Sequence, residues 1–288
     1  MSKAEEARRF LSEVFGNRTQ LILHTGNINN WPPLKMQNFT NSAEELLHCV
    51  KLQLDLWQPS HTDIKKNGMI GLRQQKESSD LFEQKTDRLQ LTITVKLFMT
   101  KLNPDHVEQS LTHAMEELGT DFIEQLIISF PHINETGIRS ADEEDKCKEW
   151  LRQVKPVWSK VEELAEQKKV DIVGVADLDV NHLQTLFDWA PRRKPTIDHF
   201  NVSSCCSIPA ELQHYAQSFQ IQLLSHVDPR PFLTDRQAND LRRKLILSAD
   251  KRTYWDLSWT CRYTIMIRAR SILTAKGYLV KLERKRTA

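Results

Sequence analysis

The sequence predicts an α/β fold, with a (β/α)8 barrel as the favoured architecture. Short apolar runs of strand length alternate with amphipathic stretches of helix length along most of the chain. Phe200 to Pro229 carries a strand, a helix and a second strand in succession, which in one sheet implies parallel strands joined by a right-handed crossover. No linker divides the 288 residues, and α/β barrels of about 250 residues fold as single domains. We therefore expect one domain over residues 1–288, with a short charged lead-in and a basic C-terminal tail.

The composition is typical of a globular protein with a sizeable core. Hydrophobic residues make up 40% of the chain, and 40 Lys and Arg nearly balance 38 Asp and Glu. This balance does not suggest a nucleic-acid or membrane surface as a partner. No apolar run approaches the length of about 18 residues that spans a membrane, and the polar start MSKAEEARR is not a secretory signal. We expect a soluble, cytoplasmic protein.

Several common site motifs are absent from the sequence. None of the eight glycines falls in GxGxxG or GxxxxGK[ST], so neither of these phosphate-binding loops is present. The sequence has no GxSxG elbow of a serine hydrolase and no HExxH motif, and we expect no metal site. Five cysteines without framework spacing fit a reducing compartment better than a disulfide scaffold.

The N-terminal part predicts a charged helix over residues 1–18 and a first strand from Leu21 to His24. The loop that follows ends at Trp31, which either covers the first strand or is exposed as an anchor for a partner. Ser42 and Glu45 form a capping box for a helix with an apolar face, which comprises Leu47, Val50, Leu54 and Trp57. Residues 58–90 are weakly patterned, and only Met69 to Leu72 indicates a strand.

The middle of the chain is patterned most clearly. Apolar and polar residues alternate from Leu91 to Phe98, which predicts a strand. Pro104 begins a helix that Gly119 ends, as is typical of helix termini. The elements expected next are a strand at Phe122–Ser129, a long helix through Trp150 and Leu164, a strand at Val170–Val175 and a helix capped by Asp179.

The C-terminal part completes the predicted alternation. It comprises a strand at Phe200–Ser203, a helix at Pro209–Ser218, a strand at Ile221–Ser225, a charged helix at Arg236–Leu247, an amphipathic helix at Trp255–Arg268 and a last strand at Ser271–Ala275. Cys205 and Cys206 follow the strand that begins at Phe200, at the strand end where α/β folds place their sites. They are either thiols activated by the following helix N-terminus or small residues filling a tight turn. The histidines near them, at positions 199, 214 and 226, are more typical of hydrogen-bonded structural residues.

Two stretches carry a family resemblance. LHTGNINNW (Leu23 to Trp31) and VSSCCSIPAEL through QLLSHVDP (Val202 to Pro229) resemble the regulatory, or modifier, subunits of glutamate–cysteine ligase. DIVGVADLD, VKLF, LIISFP and AKGYL extend the resemblance over most of the chain. That family is similar in turn to the aldo-keto reductases, which are (β/α)8 TIM barrels that bind NADPH at the carboxyl ends of their strands.

The reductase resemblance implies a catalytic set of Asp, Tyr, Lys and His. Lys96 stands where the catalytic Lys would be, Ser129 replaces the His, and the first tyrosine in the chain is Tyr215. Without a phenol in the expected region, a carbonyl would not be protonated in the usual way. Lys276 stands where reductases place a lysine at the NADPH 2′-phosphate, or it is an ordinary exposed lysine. The resemblance therefore implies that no cofactor is required and that NADPH binding is possible.

The resemblance implies a non-catalytic subunit that binds the catalytic subunit of glutamate–cysteine ligase as a heterodimer. Binding would improve the use of glutamate and weaken feedback inhibition by glutathione, the end product of the pathway. Cys205, Cys206 and Cys261 are the candidate partner-interface or redox residues, although Cys261 fits a buried small residue equally well. The alternative is a divergent aldo-keto reductase or an NADPH-binding sensor barrel.

Overall fold

The computed structural model describes residues 3–15, 19–35, 37–56, 69–71, 88–131, 142–203, 207–245 and 253–286. The chain forms two compact units: a first unit of Met1–Leu91 and Phe232–Ala288, and a second unit of Thr92–Pro231. The single domain expected from the sequence stays a prediction. None of the described helices is both long and apolar enough to cross a membrane.

The helices and strands follow one another along the chain. The first stretch contains α1 (Lys3–Phe15), β1 (Gln20–His24), α2 (Pro32–Lys35), α3 (Ser42–Leu56) and β2 (Met69–Gly71). The middle stretch contains β3 (Leu91–Met99), α4 (Pro104–Leu118), β4 (Ile123–Ser129), α5 (Glu143–Glu166), β5 (Val170–Ala176), α6 (Val180–Trp189), β6 (Ile197–Asn201), α7 (Ala210–Ser218) and β7 (Gln222–His226). The last stretch contains α8 (Asp235–Leu245), β8 (Thr253–Ile267) and β9 (Ile272–Arg286).

The second unit is an α/β structure with a parallel sheet. Its strands lie in the order β3, β4, β5, β6, β7, and each neighbouring pair is parallel. A helix follows each of the first four strands, as parallel pairing requires. Gly174 of β5 has no room for a side chain, since a Cβ there would lie 2.7 Å from the carbonyl oxygen of Ile197. The predicted α/β class and the parallel pairing of β6 with β7 are confirmed.

The first unit contains a mixed sheet in the order β2, β1, β9, β8. β1 pairs in parallel with β2, while β9 is antiparallel to both β1 and β8. The helix predicted at Trp255–Arg268 is wrong, because these residues form β8 and the turn after it. The apolar side chains on alternate residues of β8, from Trp255 to Ile265, are buried. The predicted last strand extends into the basic tail as the 15-residue β9, and closure of a barrel stays a prediction.

The structure confirms the predicted start and end of α4 but not the predicted capping box of α3. Asn103 caps α4 by accepting a hydrogen bond from the backbone N–H of Asp105, and Gly119 ends this helix with φ 62°. The predicted capping box of α3 is wrong, because the side chain of Asn41 accepts the first free N–H groups instead. This leaves Glu45 available for a tertiary contact. Trp31 is only 7% exposed, so it is a buried residue rather than an exposed anchor.

Candidate functional site: a buried ionic cluster

Six ionisable side chains of the second unit form the candidate site, and we call them the ionic cluster: Lys96, Asp177, Asp198, His226, Asp228 and Arg230. Asp177 directly follows β5, and His226 is the last residue of β7. Carboxyl ends of parallel strands meet at one edge of a sheet, where α/β proteins place their sites. Asp198, Lys96 and Asp228 are 0%, 2% and 3% exposed, so this site is inside the protein.

Lys96 and Asp228 form a buried ion pair. The Lys96 ammonium donates a hydrogen bond to Asp228 Oδ2 over 2.8 Å, and both side chains are shielded from water. The Asp228 main-chain carbonyl in turn accepts a hydrogen bond of 2.7 Å from the Asn201 amide. Removing one member of such a pair leaves an uncompensated buried charge, which typically costs about 3–5 kcal/mol. Lys96 is therefore a structural cation of this unit.

The contacts of His226 define its tautomer. Its Nδ1 accepts a hydrogen bond of 3.1 Å from the backbone N–H of Asp228, so the neutral ring carries its proton on Nε2. Nε2 lies 3.1 Å from the carbonyl oxygen of His199 and 3.1 Å from Asp177 Oδ1. Burial disfavours the imidazolium, but the neighbouring carboxylates of Asp177 and Asp228 outweigh it and raise the pKa of His226.

Asp177 is held in place through its backbone and its carboxylate. Its φ of 62° lies in the left-handed region, which aspartate tolerates better than most residues. The Asp177 backbone N–H donates to the His199 carbonyl over 3.0 Å, and Arg230 Nη1 donates to the Asp177 carbonyl oxygen over 2.6 Å. Burial opposes ionisation, yet the His226 ring 3.1 Å away and the nearby Lys96 and Arg230 cations lower the pKa of Asp177. Asp177 is thus the ionised carboxylate that faces the His226 imidazole.

Asp198 is the acid of the cluster that lacks a partner. Neither of its carboxyl oxygens has a hydrogen-bond partner among the residues that the structure describes. Its neighbours in the strand register are apolar, Val175 on β5 and Leu223 on β7. Burial, reinforced by the negative charge of Asp177, raises the pKa of Asp198 to about 8. At neutral pH this side chain is therefore mostly a neutral carboxylic acid.

The predicted site residues are divided between the two units. Lys96 belongs to the ionic cluster of the second unit, whereas Lys276 and Cys261 belong to the first unit. Cys205 and Cys206 lie outside the described residues. Cys261 on β8 is fully buried, and this burial raises the pKa of its thiol to about 12, so it is a poor nucleophile.

Lys276 is neither free nor fully exposed. Its ammonium lies 2.7 Å from Glu45 Oε1, and Tyr278 Oη donates to the same oxygen over 2.7 Å. The lysine side chain is 20% exposed and that of Glu45 is 17% exposed. A nucleotide phosphate would have to displace Glu45 to bind this cation. Lys96 is likewise committed to Asp228, so these two lysines do not fit a phosphate group as they stand.

The residues of a reductase are also arranged differently here. Ser129, which stands in place of the expected His, donates a 3.4 Å hydrogen bond to Asp177. Tyr215 is the tyrosine of the second unit, and its ring packs against Phe219 with centroids 4.6 Å apart. Lys96 therefore supports a carboxylate rather than a phenol. Asp198 and His226 are the two members of the cluster whose raised pKa values favour gain or loss of a proton near neutral pH.

The sequence reasoning missed five of the six cluster residues. A signal was present, because Asp177, His226 and Asp228 each stand at or just after the carboxyl end of a predicted strand. Asp198 had no comparable signal, since it lies within β6 and its burial depends on the neighbouring strands.

No protein-family model matches the chain, but several proteins are similar to it over most of its length. The glutamate–cysteine ligase regulatory subunit of Rattus norvegicus is 27% identical over 288 residues, which are 96% of this chain and 97% of that protein. The human regulatory subunit is 28% identical over 276 residues, 92% of this chain and 93% of that protein. A putative regulatory subunit of Schizosaccharomyces pombe is 28% identical over 66% of this chain and 70% of that protein.

Solved structures with partial similarity are aldo-keto reductases. One, from a Medee basin deep-sea metagenome library, is 20% identical, with a TM-score of 0.38 over 50% of this chain and 46% of its own. Another, complexed with NADPH, is 18% identical, with a TM-score of 0.37 over 49% of this chain and 40% of its own. The resemblance found in the sequence motifs is confirmed: over nearly its whole length this chain is similar to the glutamate–cysteine ligase regulatory subunits.

Proposed function

We propose that this chain is a non-catalytic regulatory subunit that binds the catalytic subunit of glutamate–cysteine ligase. The observation that carries the proposal is the similarity to regulatory subunits from end to end, 96% of this chain and 97% of the rat protein. The similarity is thus spread over nearly the whole length of both sequences and is not confined to one segment. The reaction of the partner joins glutamate to cysteine, the first step of glutathione synthesis.

The contents of the ionic cluster support a role without chemistry of its own. Lys96 is neutralised by Asp228, and a serine hydroxyl occupies the place of the expected acid–base histidine. A serine hydroxyl does not titrate near neutral pH, so Ser129 does not replace an imidazole as a proton donor. We take the cluster as the internal framework of the second unit.

Regulation of the partner is a coupling free energy between binding and catalysis. The chain must bind the active conformation of the catalytic subunit more tightly than the inhibited one. A coupling of about 1–3 kcal/mol changes the affinity for glutamate or glutathione by about 5- to 150-fold. Glutamate would then bind more tightly and glutathione less tightly in the complex.

The proposed regulatory subunit requires no cofactor. We assign the complex to the cytoplasm, and the free, buried thiols of Cys49, Cys147 and Cys261 are consistent with a reducing compartment. A closed (β/α)8 barrel is the architecture that we propose for the whole chain.

Co-purification with the catalytic subunit tests the proposal. Glutamate titrations of the catalytic subunit alone and of the complex should give a KM that is at least about 5-fold lower in the complex. Inhibition by glutathione should need a higher concentration in the complex. An unrelated α/β protein of similar size is the control. Absence of a complex, or a complex with unchanged kinetics, would refute the function.

A second candidate function is a divergent aldo-keto reductase or an NADPH sensor. It is favoured by the proton-holding residues Asp198 and His226 at strands of a parallel sheet. NADPH oxidation with generic aldehydes above about 0.1 per second, against about 10 per second for typical enzymes, would support catalysis. A sensor would bind NADPH more tightly than NADH, and Glu45→Gln would strengthen that preference because it frees Lys276 from its ion pair.

A further inference from the structure

The β8–β9 hairpin ends in a fully exposed tip. The strands are paired from Thr253 with Arg286 to Ile267 with Ile272, and the turn between them is Arg268–Ser271. Every residue from 268 to 273 is exposed, although most residues of both strands are buried or half-buried. Ile272 and Leu273 keep 48% and 43% of their surface in contact with solvent.

A second exposed segment lies against this tip. The backbone N–H of Arg268 donates a hydrogen bond of 2.8 Å to the carbonyl oxygen of Gln90, in the 3-10 turn Arg88–Gln90. Leu89 in this turn is 72% exposed. Three of the six large hydrophobic residues exposed in the described part of the chain therefore belong to two adjoining segments. Single exposed apolar residues are common, but a cluster of them marks an interaction site.

Arginines are concentrated in these two segments. Arg268 and Arg270 lie in the tip, where the sequence from Thr264 to Ala275 contains no acidic residue, and Arg88 lies in the adjoining turn, next to Asp87 in the sequence. This local excess contrasts with the near balance of the whole chain, 40 basic against 38 acidic residues. Arginine and apolar side chains together are typical of protein–protein interfaces, and complementary potential speeds association.

We propose that the hairpin-tip surface, which comprises Leu89, Arg268, Arg270, Ile272 and Leu273, docks an acidic surface with an apolar centre on the catalytic subunit. The proposal rests on the proposed function, since that function supplies the partner. The tip is carried by two strands that pair up to Ile267 and Ile272, and preorganised backbone of this kind reduces the entropy lost on association.

Charge and size favour a protein partner over other macromolecules. Lipid-binding basic clusters typically carry 4–8 Lys or Arg residues, and the tip with its adjoining turn carries three arginines. Nucleic-acid binding at physiological salt typically uses about 6–10 phosphate contacts. Three arginines around three apolar side chains fit neither pattern.

The test measures the affinity of the full-length chain for the catalytic subunit. The tip variant combines Leu89→Ser, Arg270→Glu and Leu273→Thr, and threonine keeps the strand preference of β9. The control variant combines Tyr254→Ser, at the opposite end of the hairpin and 44% exposed, with Arg236→Glu on α8. We expect the Kd of the tip variant to rise by about tenfold or more and that of the control to change by less than about threefold.

Three further measurements keep the outcome decisive. Both variants should melt within a few degrees of the wild type, and Arg270→Glu alone should weaken the salt dependence of the affinity without unfolding the chain. If the wild type binds and the folded tip variant binds equally well, the surface is not the docking site. If the tip variant loses only binding to anionic lipid vesicles, the surface is a membrane contact and the proposal is overturned. If the wild type does not bind at all, the proposed function itself fails.

Discussion

Replacing Asp198 by asparagine should stabilise the protein by an amount that grows with pH. Asp198 is buried without a hydrogen-bond partner among the described residues, and its pKa is about 8 in the folded protein. In the unfolded chain the pKa returns to about 3.9. Between these values the unfolded state releases a proton that the folded state keeps. Stability therefore falls as the pH rises from about 4 to about 8.

The size of this effect follows from the two pKa values. Each pH unit inside the window costs about 1.4 kcal/mol, which gives at most about 4 kcal/mol at pH 7 and about 6 kcal/mol above pH 8. Asparagine has nearly the same shape as the neutral acid and does not ionise. The free energies of unfolding of the two proteins should be similar near pH 4 and diverge above it.

Urea unfolding followed by circular dichroism at pH 5, 6, 7 and 8 measures the difference. The raised pKa of His226 also makes stability decline, as the pH rises through its folded value, but this contribution is present in both proteins and cancels. The lowered pKa of Asp177 removes stability only as the pH falls below its ordinary range. Asp171→Asn, an exposed replacement on β5, is the matched control. A difference between wild type and Asp198→Asn that stays constant from pH 5 to pH 8 would refute the reasoning.

Other perturbations test the packing and the thiols. Lys96→Met should lower the free energy of unfolding in urea by about 3–5 kcal/mol, because it leaves the Asp228 carboxylate buried without its cation. Adding Asp228→Leu should recover part of this loss. A loss below about 1 kcal/mol for Lys96→Met alone would contradict a buried ion pair. Gly277→Ala should lower the free energy of unfolding by about 1–3 kcal/mol or more. The reason is that a Cβ there would lie 2.3 Å from the Gly26 carbonyl oxygen and from the Tyr263 hydroxyl. An unchanged melting temperature would argue against this close approach. Cys205→Ser with Cys206→Ser should leave the complex with the catalytic subunit intact but remove any covalent species on a non-reducing gel; a full response of activity to oxidant in this double variant would exclude the two thiols from redox control.

Local sequence signals were sufficient for most elements of the second unit. Asn103, Pro104 and Gly119 each act on the backbone within a few residues, so the ends of α4 could be read without knowing the tertiary structure. The strands were equally clear: apolar and polar residues alternate at the start of β3, and the second half of β4 and of β5 is an apolar run, as is typical of strands buried in a parallel sheet.

The hairpin of the first unit could not be read in the same way. Residues 255–268 contain apolar side chains at spacings that suit both a helix and a strand, and local pattern does not separate the two. The choice is made by β9, which pairs with β8 along nearly its whole length and supplies its backbone hydrogen-bond partners. The pairing of β8 with β9 exists only in the folded chain, so the pattern within residues 255–268 does not reveal it.

The sequence by itself determined the α/β class, the succession of strands and helices along the second unit and the resemblance to regulatory subunits. These depend on periodicity, on caps and on motifs that are contiguous in the chain. Tertiary structure alone decided the ionic cluster, since Lys96 meets its partner Asp228 across 132 residues of sequence. It also decided that Asp198 is buried and holds a proton, because the pKa of a side chain is determined by the groups that surround it in space and not by its neighbours in the chain.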